Sequence, residues 1–392
     1  MMVVMTAVNR RRNMLTGISA GGRFDVYISG KSVIHDEGGG MSRAVHSQPE
    51  GEGVDMAAKL ACLSRPASYP ERPVRVEVLE THMSWVFLTD RFVYKMKKPV
   101  YLPPLDLTSL EKRHRNCLSE LRLNRRLARG VYLGVLPLTL DGPRRLLIDG
   151  EGEAVEWLVR MRRLPARLML DARLHRGKLT ADEVHRFMKP LLRFYARSAP
   201  AMAEPLAYQG KLAAGIDDVA AGLFEPGLAA DADRVAAIQR ALHAATGALG
   251  ELLSARVMQG SIIEAHGDLR PEHVCLSHPP VMIDCLEFSY ELRVQDVADE
   301  LAFLSLECEC LGADFVGDVI FAELERVLGD RPPPAVIHYY KAARAFLRAR
   351  LCYWHLHEPQ DAVMAQHWRE RGSAYLARAE AYLARCSGVV GS

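Results

Sequence analysis

One stretch constrains this chain more than any other: EAHGDLRPEHVCLSHPPVMIDCLEFSYELRVQDVADELAFL, residues 264–304. It sets the densest group of polar residues in the chain against short apolar runs. His266, Gly267 and Asp268 follow the apolar pair Ile262 and Ile263. Residues 274–276 and 281–283 read as two short strands, with Pro279 and Pro280 marking the turn between them. Asp284 stands at the end of the second strand. Two carboxylates, Asp268 and Asp284, therefore lie at the two ends of a predicted hairpin, which brings them close in space. Such a pair suits phosphoryl transfer. One carboxylate orients and deprotonates a hydroxyl, and the other holds a magnesium ion that bridges nucleotide phosphates. Taken singly, each aspartate reads more simply, Asp268 as a turn residue after Gly267 and Asp284 as a helix cap. The length of the ordered string shifts the balance toward chemistry.

The chain before this stretch forms a sheet-rich region. Strands are predicted over 74–79, 85–88 and 92–96, with Thr89-Asp90 as a tight connection. Lys95 shares a strand face with Val93 and Lys97, as period-two alternation requires. Lys95 suits a phosphate contact, with Lys97 the runner-up. Lys95, Lys97 and Lys98 also read as a solvated strand edge. A helix follows, with Thr108 and Glu111 spaced as a capping box and Leu110, Cys117, Leu121 and Leu127 as its apolar stripe; Gly130 ends it. Glu120 lies beside that stripe, where a surface role next to Asn116 or Asn124 is the commoner fate. Further strands are predicted over 132–139, 145–148 and 155–161. Basic residues outnumber acidic ones by roughly two to one over 91–178, which fits an anionic ligand or a solvated basic surface.

His266-Gly267-Asp268, the hairpin, and Ile283-Asp284 together resemble the catalytic core of the aminoglycoside-phosphotransferase-like kinases, distant relatives of the protein kinases. Residues 80–88 and 93–99 resemble the nucleotide-binding lobe of the same family. The resemblance spans about 55–375 and is specific around 266–304 and 80–99. It implies an α+β, two-lobed protein-kinase-like fold, with a small antiparallel-sheet N-lobe over 55–165 and a larger, mainly helical C-lobe over 166–388. It also implies ATP-dependent transfer of a phosphate to a hydroxyl of a small molecule. Asp268 is then the catalytic base and Asp284 the metal-binding aspartate. Lys95 holds the nucleotide phosphates and Glu120 pairs with it, while 156–165 leads to the hinge beside the adenine. His266 supports the catalytic loop, and Asp296 braces it by bonding its backbone; a plain helix N-cap is the competing reading of Asp296. The family carries Asn at the position of His273. Magnesium prefers oxygen ligands and imidazole suits softer metals, so His273 stands as a second ligand that admits manganese. The same departure supports the alternative, a pseudokinase that binds nucleotide or acts as a scaffold. Some members carry a P-loop ATPase domain beyond this region, and this chain is expected to be the kinase-like domain alone.

The rest of the sequence is helical. Thr180 and Glu183 form a second capping box opening a helix to 197. Helices follow over 212–223, 231–253, 315–328, 335–355 and 362–386. The acidic residues Asp217, Asp218, Asp231 and Asp233 read as ordinary exposed helix faces more readily than as a wall for a cationic acceptor. Residues 1–54 read as a flexible N-terminal extension. Gly30-Lys31-Ser32 lacks the earlier glycine of a phosphate-binding loop, since Asp25 stands there. With 392 residues, 49% of them apolar, the chain can bury two sizeable cores. A net charge of +2 argues against a general nucleic-acid binder. The eight cysteines show no paired metal spacing and read as reduced thiols of a cytoplasmic protein. No apolar run approaches the length that spans a bilayer.

Overall fold

In the computed structural model, residues 54–102, 105–142, 145–228, 230–357 and 360–390 are described. All but the last residue of the expected extension over 1–54, with its Gly30-Lys31-Ser32, lies outside them. The chain divides into two units. One runs to Met169 and takes back Met282–Ser289. The other comprises Leu170–Val281 and the chain from Tyr290 onward.

The first unit is built on a sheet. Helix α1 (Met56–Leu63) opens it, capped by the Asp55 carboxylate on the Ala57 N–H. Strands β1 (Glu77–Glu80), β2 (Ser84–Leu88), β3 (Phe92–Lys97), β4 (Tyr101–Leu102) and β5 (Leu105–Asp106) follow. Then come helix α2 (Leu110–Ala128) and strands β6 (Tyr132–Asp141), β7 (Arg145–Ile148) and β8 (Glu153–Arg162). Six strands form one antiparallel sheet in the order β1-β2-β3-β8-β6-β7. The first strand starts later than expected because Glu77 already lies opposite Leu88, the last residue of β2, and residues before it have no partner on that strand. On β3, Tyr94 and Met96 join a core with Phe87, Leu138, Leu158, Cys62 and Tyr69. Alternation then sends Val93, Lys95 and Lys97 to the other face.

Helix α2 is capped by Ser109, whose hydroxyl accepts the Lys112 N–H at 3.2 Å. The expected cap, Thr108, is occupied instead by a 2.7 Å hydrogen bond to Asp106. Arg113 clamps the fully buried Glu156 of β8 with two contacts of 2.9 Å, and Lys59 of α1 adds a third at 3.2 Å. One carboxylate thus joins α1, α2 and β8.

The second unit is mainly helical: α3 (Leu170–Leu174), α4 (Ala181–Arg197), α5 (Pro205–Leu223), α6 (Ala232–Ala248) and α7 (Gly250–Met258). Strands β9 (Ile262–Glu264), β10 (Val274–Cys275) and β11 (Val281–Met282) follow, the last where the chain leaves this unit. It re-enters with α8 (Tyr290–Arg293), β12 (Val294–Asp296), α9 (Val297–Cys310), α10 (Phe315–Leu328), α11 (Pro334–Trp354) and α12 (Ala362–Val390). The Thr180–Glu183 capping box of α4 is complete. The single helix expected over 231–253 is two, α6 and α7, broken at Leu249 ahead of Gly250. Helix α9 is buried on every side from Val297 to Cys308, as befits the central helix of a packed unit. Among the described residues no helix is long and apolar enough to cross a membrane.

Candidate functional site

In the sheet unit, the candidate residues Lys95 and Lys97 lie on the face of β3 opposite its apolar core. Lys95 is 3% exposed, and Lys97 1%. Burial at that level rules out the solvated-edge reading for both. The Lys95 ammonium contacts Glu120 at 3.0 Å and Asp284 at 3.3 Å. Glu120 stands on α2, and its side chain faces β3, while Asn124 bonds only its main-chain oxygen at 2.9 Å. Burial works to lower the Lys95 pKa, and the carboxylates of Asp284, Glu120 and Glu287 override it and hold the ammonium well above the ordinary lysine range. Asp284 adopts the left-handed backbone conformation, φ 61°, which suits a short polar side chain better than most. Its N–H donates to the Tyr132 hydroxyl at 3.2 Å, and the next N–H, of Cys285, donates to Asn124 at 2.9 Å. The turn is thus fixed to α2 and β6. Magnesium is bound by one or two carboxylates together with phosphates and water, so the oxygen donor of Asp284 fits it.

In the helical unit, the loop after β9 carries His266, Asp268 and His273. Both Asp268 oxygens accept from Arg270, at 2.9 Å each. Arg270 is itself fully buried and also contacts Glu272 at 2.5 Å. Burial works to raise the Asp268 pKa; Arg270, then His273, outweigh it and hold the carboxyl well below the usual carboxylate range. His266 is buried, its ring 6.1 Å from that of His273.

His273 corrects an expectation. Its Nδ1 donates to the main-chain oxygen of Asp268 at 2.6 Å, and its Nε2 faces the Arg270 guanidinium at 3.4 Å. Both ring nitrogens are engaged and the side chain is fully buried, so the imidazole is not presented as a metal ligand. Among the described residues no group of three or more His, Cys, Asp or Glu side chains is arranged to hold a metal ion.

Asp296 corrects another. Its carboxylate accepts from Arg256 at 2.9 and 2.7 Å, from Tyr340 at 2.9 Å and from the Ala298 N–H at 2.8 Å. It is the N-cap of α9, and its bonds do not include the loop backbone. The Gly267 N–H instead donates to Glu300 at 2.8 Å, one turn further along α9. Glu300 also accepts from Tyr195 at 2.6 Å and Gln295 at 2.8 Å. The register explains the exchange: β12 pairs with β9 so that Asp296 lies opposite Ile262, well before the loop begins.

No family model matches the chain. An uncharacterized protein of Mycobacterium tuberculosis and one of Mycobacterium bovis are each 30% identical to it over 281 residues, 70% of this chain and 54% of theirs. The chain therefore spans about half the length of the curated relatives it matches. Among solved structures, choline kinase from Cryptosporidium parvum matches with a TM-score of 0.50 at 11% identity, covering 84% of this chain and 96% of that one. The chain has the fold of a protein-kinase-like small-molecule kinase. Also similar are a choline/ethanolamine kinase family protein from Mesorhizobium loti (TM-score 0.45, 17% identity, 83% of this chain and 99% of that one) and an aminoglycoside phosphotransferase from Alicyclobacillus acidocaldarius (0.42, 12%, 88% and 98%).

Within this kinase-like fold, Lys95, Glu120 and Asp284 come together in the sheet unit, and His266, Asp268 and His273 share one loop of the helical unit. Sequence reasoning missed Glu287, Arg270 and Glu300. A signal existed for Arg270, a basic residue two positions from Asp268. Glu287 and Glu300 gave none, because several acidic residues lie near each and no spacing rule selects among them.

Proposed function

We propose that this chain transfers the γ-phosphate of ATP to a hydroxyl of a small molecule. The observation that carries the proposal is the buried lysine held between two carboxylates, Glu120 on α2 and Asp284 on its turn. In this reading Lys95 donates to the nucleotide phosphates and Glu120 fixes its ammonium for that contact. Asp284 supplies an oxygen to magnesium, with manganese as a substitute. The metal, when bound, neutralises charge on the phosphates. Asp268 accepts the hydrogen bond of the acceptor hydroxyl and orients its oxygen for in-line attack. The transition state of phosphoryl transfer is loose, so orientation contributes more than full proton abstraction. Choline kinase and aminoglycoside phosphotransferase act on small hydroxyl-bearing molecules by name, and the fold likeness supports the reaction class without selecting an acceptor. No observation favours a nucleotide-binding module without turnover over this reading.

The test is Asp268→Ala, assayed by ADP release over a panel of hydroxyl acceptors, with ATP binding measured by calorimetry. Turnover is expected to fall by roughly 10²–10⁴-fold, the range of a positioned acid–base group, with ATP affinity nearly intact. Unchanged turnover in this variant sinks the assignment.

A further inference from the structure

The buried charges of the sheet unit extend beyond Lys95. Lys97 stands two residues along β3 on the same face. Its ammonium bridges Glu120 Oε2 at 2.5 Å and Glu287 Oε1 at 2.5 Å. Glu120 is thereby shared, one oxygen on Lys95 and the other on Lys97. With Asp284 on Lys95, five side chains form one series of ion pairs: Asp284, Lys95, Glu120, Lys97, Glu287. The two ends of the series sit three residues apart in the same turn. A series that starts and finishes on one turn fixes where that turn stands against β3 and α2.

We propose that Lys97 and Glu287 are positioning residues that set the place of the Asp284 carboxylate relative to Lys95. Two observations beyond the contacts support this. First, Phe288, next to Glu287, packs against the cluster of Met83, Leu105 and Leu107, so the segment that carries Asp284 and Glu287 is seated in the sheet unit. Second, the two charges of the pair support each other against burial. Burial opposes the charge on Lys97, yet Glu120 and Glu287 raise its pKa, and Lys97 and Lys95 hold Glu287 low against its burial. Buried ion pairs add little net stability over apolar side chains of similar volume, since desolvation offsets their attraction. What they supply here is one geometry for Asp284.

For its catalytic meaning the proposal rests on the phosphotransferase reading; its structural content stands apart, and the test separates them. The double variant Lys97→Met/Glu287→Met removes both charges together, so neither is left buried alone. Its crystal structure is expected to show the Asp284 carboxylate out of hydrogen-bond reach of Lys95, with β3 and α2 in place. Its affinity for manganese–ATP, read by electron paramagnetic resonance of the metal, is expected to fall about tenfold or more. Glu287→Gln keeps an acceptor for Lys97 and is expected to retain most of that affinity, which a requirement for the charge alone would not allow. Lys98→Gln, on the neighbouring half-buried pair with Glu80, should match the parent. An Asp284–Lys95 contact that persists in the double variant overturns the proposal, as does parental metal–nucleotide affinity. If the double variant fails to fold, the same contact and affinity in Glu287→Ala decide in its place. A parent protein that binds no ATP overturns the phosphotransferase reading, and the contact alone then decides the positioning role.

Discussion

Asp268 shows how opposing contributions set one group. Burial alone would push its carboxyl up. Two contacts of 2.9 Å from Arg270, with His273 on the same loop, reverse the sign. Arg344, on α11, adds positive charge from a second element while paired with Asp299. The folded pKa is therefore depressed below the unfolded value of about 3.9. The stabilisation is present above that unfolded value and is lost only as pH falls through the folded one. The acid limb of kcat/KM in the parent should accordingly not belong to Asp268. In Arg270→Met the burial contribution loses its main opponent, and an acid limb from Asp268 should appear at higher pH than in the parent. Profiles of kcat/KM against pH for the two proteins check this, and superimposable acid limbs would refute it.

At the scale of elements, α9 shows how a helix divides its acidic residues between tasks. Asp296 caps it and holds Arg256, which also pairs with Asp330. Glu300 holds the loop through Gly267, and Asp299 holds Arg344. Glu300→Ala leaves the Gly267 N–H, the Tyr195 hydroxyl and the Gln295 amide without their buried acceptor. At about 1–3 kcal/mol for each unsatisfied group, a loss of roughly 3 kcal/mol or more is expected in the unfolding free energy, read as a lower urea midpoint with the m-value unchanged. Thr180→Ala, which removes only one cap of α4, should cost about 1 kcal/mol in the same measurement. If the two variants are equally destabilised, Glu300 is not the brace. The contrast also shows what the sequence could disclose. The Thr180–Glu183 box is local, and its spacing identified it. The same spacing at Thr108–Glu111 misled, because Asp106 competes for the threonine hydroxyl and Ser109 becomes the cap. Four acidic residues within one helical run, 296–307, carry no label saying which of them meets a loop thirty residues earlier in the chain.

At the scale of the molecule, the legible part was whatever a short-range pattern or an ordered motif could mark. The β3 face, the α2 stripe and the His266–Asp268 and Ile283–Asp284 strings marked the kinase-like fold and three members of the buried cluster. The Lys97–Glu287 contact spans 190 residues of sequence, and nothing local to either residue foretells it. His273 shows the converse: its residue type suggested a soft-metal ligand, and only its three-dimensional partners revealed a ring already engaged on both nitrogens. This difference decides a prediction about metals. Imidazole ligation would favour manganese over magnesium. With His273 occupied, the proposed donor toward the metal is the carboxylate oxygen of Asp284, which would serve magnesium well. Calorimetry of ATP with magnesium, with manganese and with chelator should therefore show metal-dependent binding with no clear advantage for manganese. At a ligand concentration of 100 Kd, the magnesium complex should stabilise the fold by about 2.7 kcal/mol, seen as a rise in melting temperature that chelator removes. Clearly tighter binding with manganese would mean that the His273 ring leaves the Asp268 carbonyl and Arg270 to ligate the metal, and the His273→Asn variant should then abolish the manganese preference.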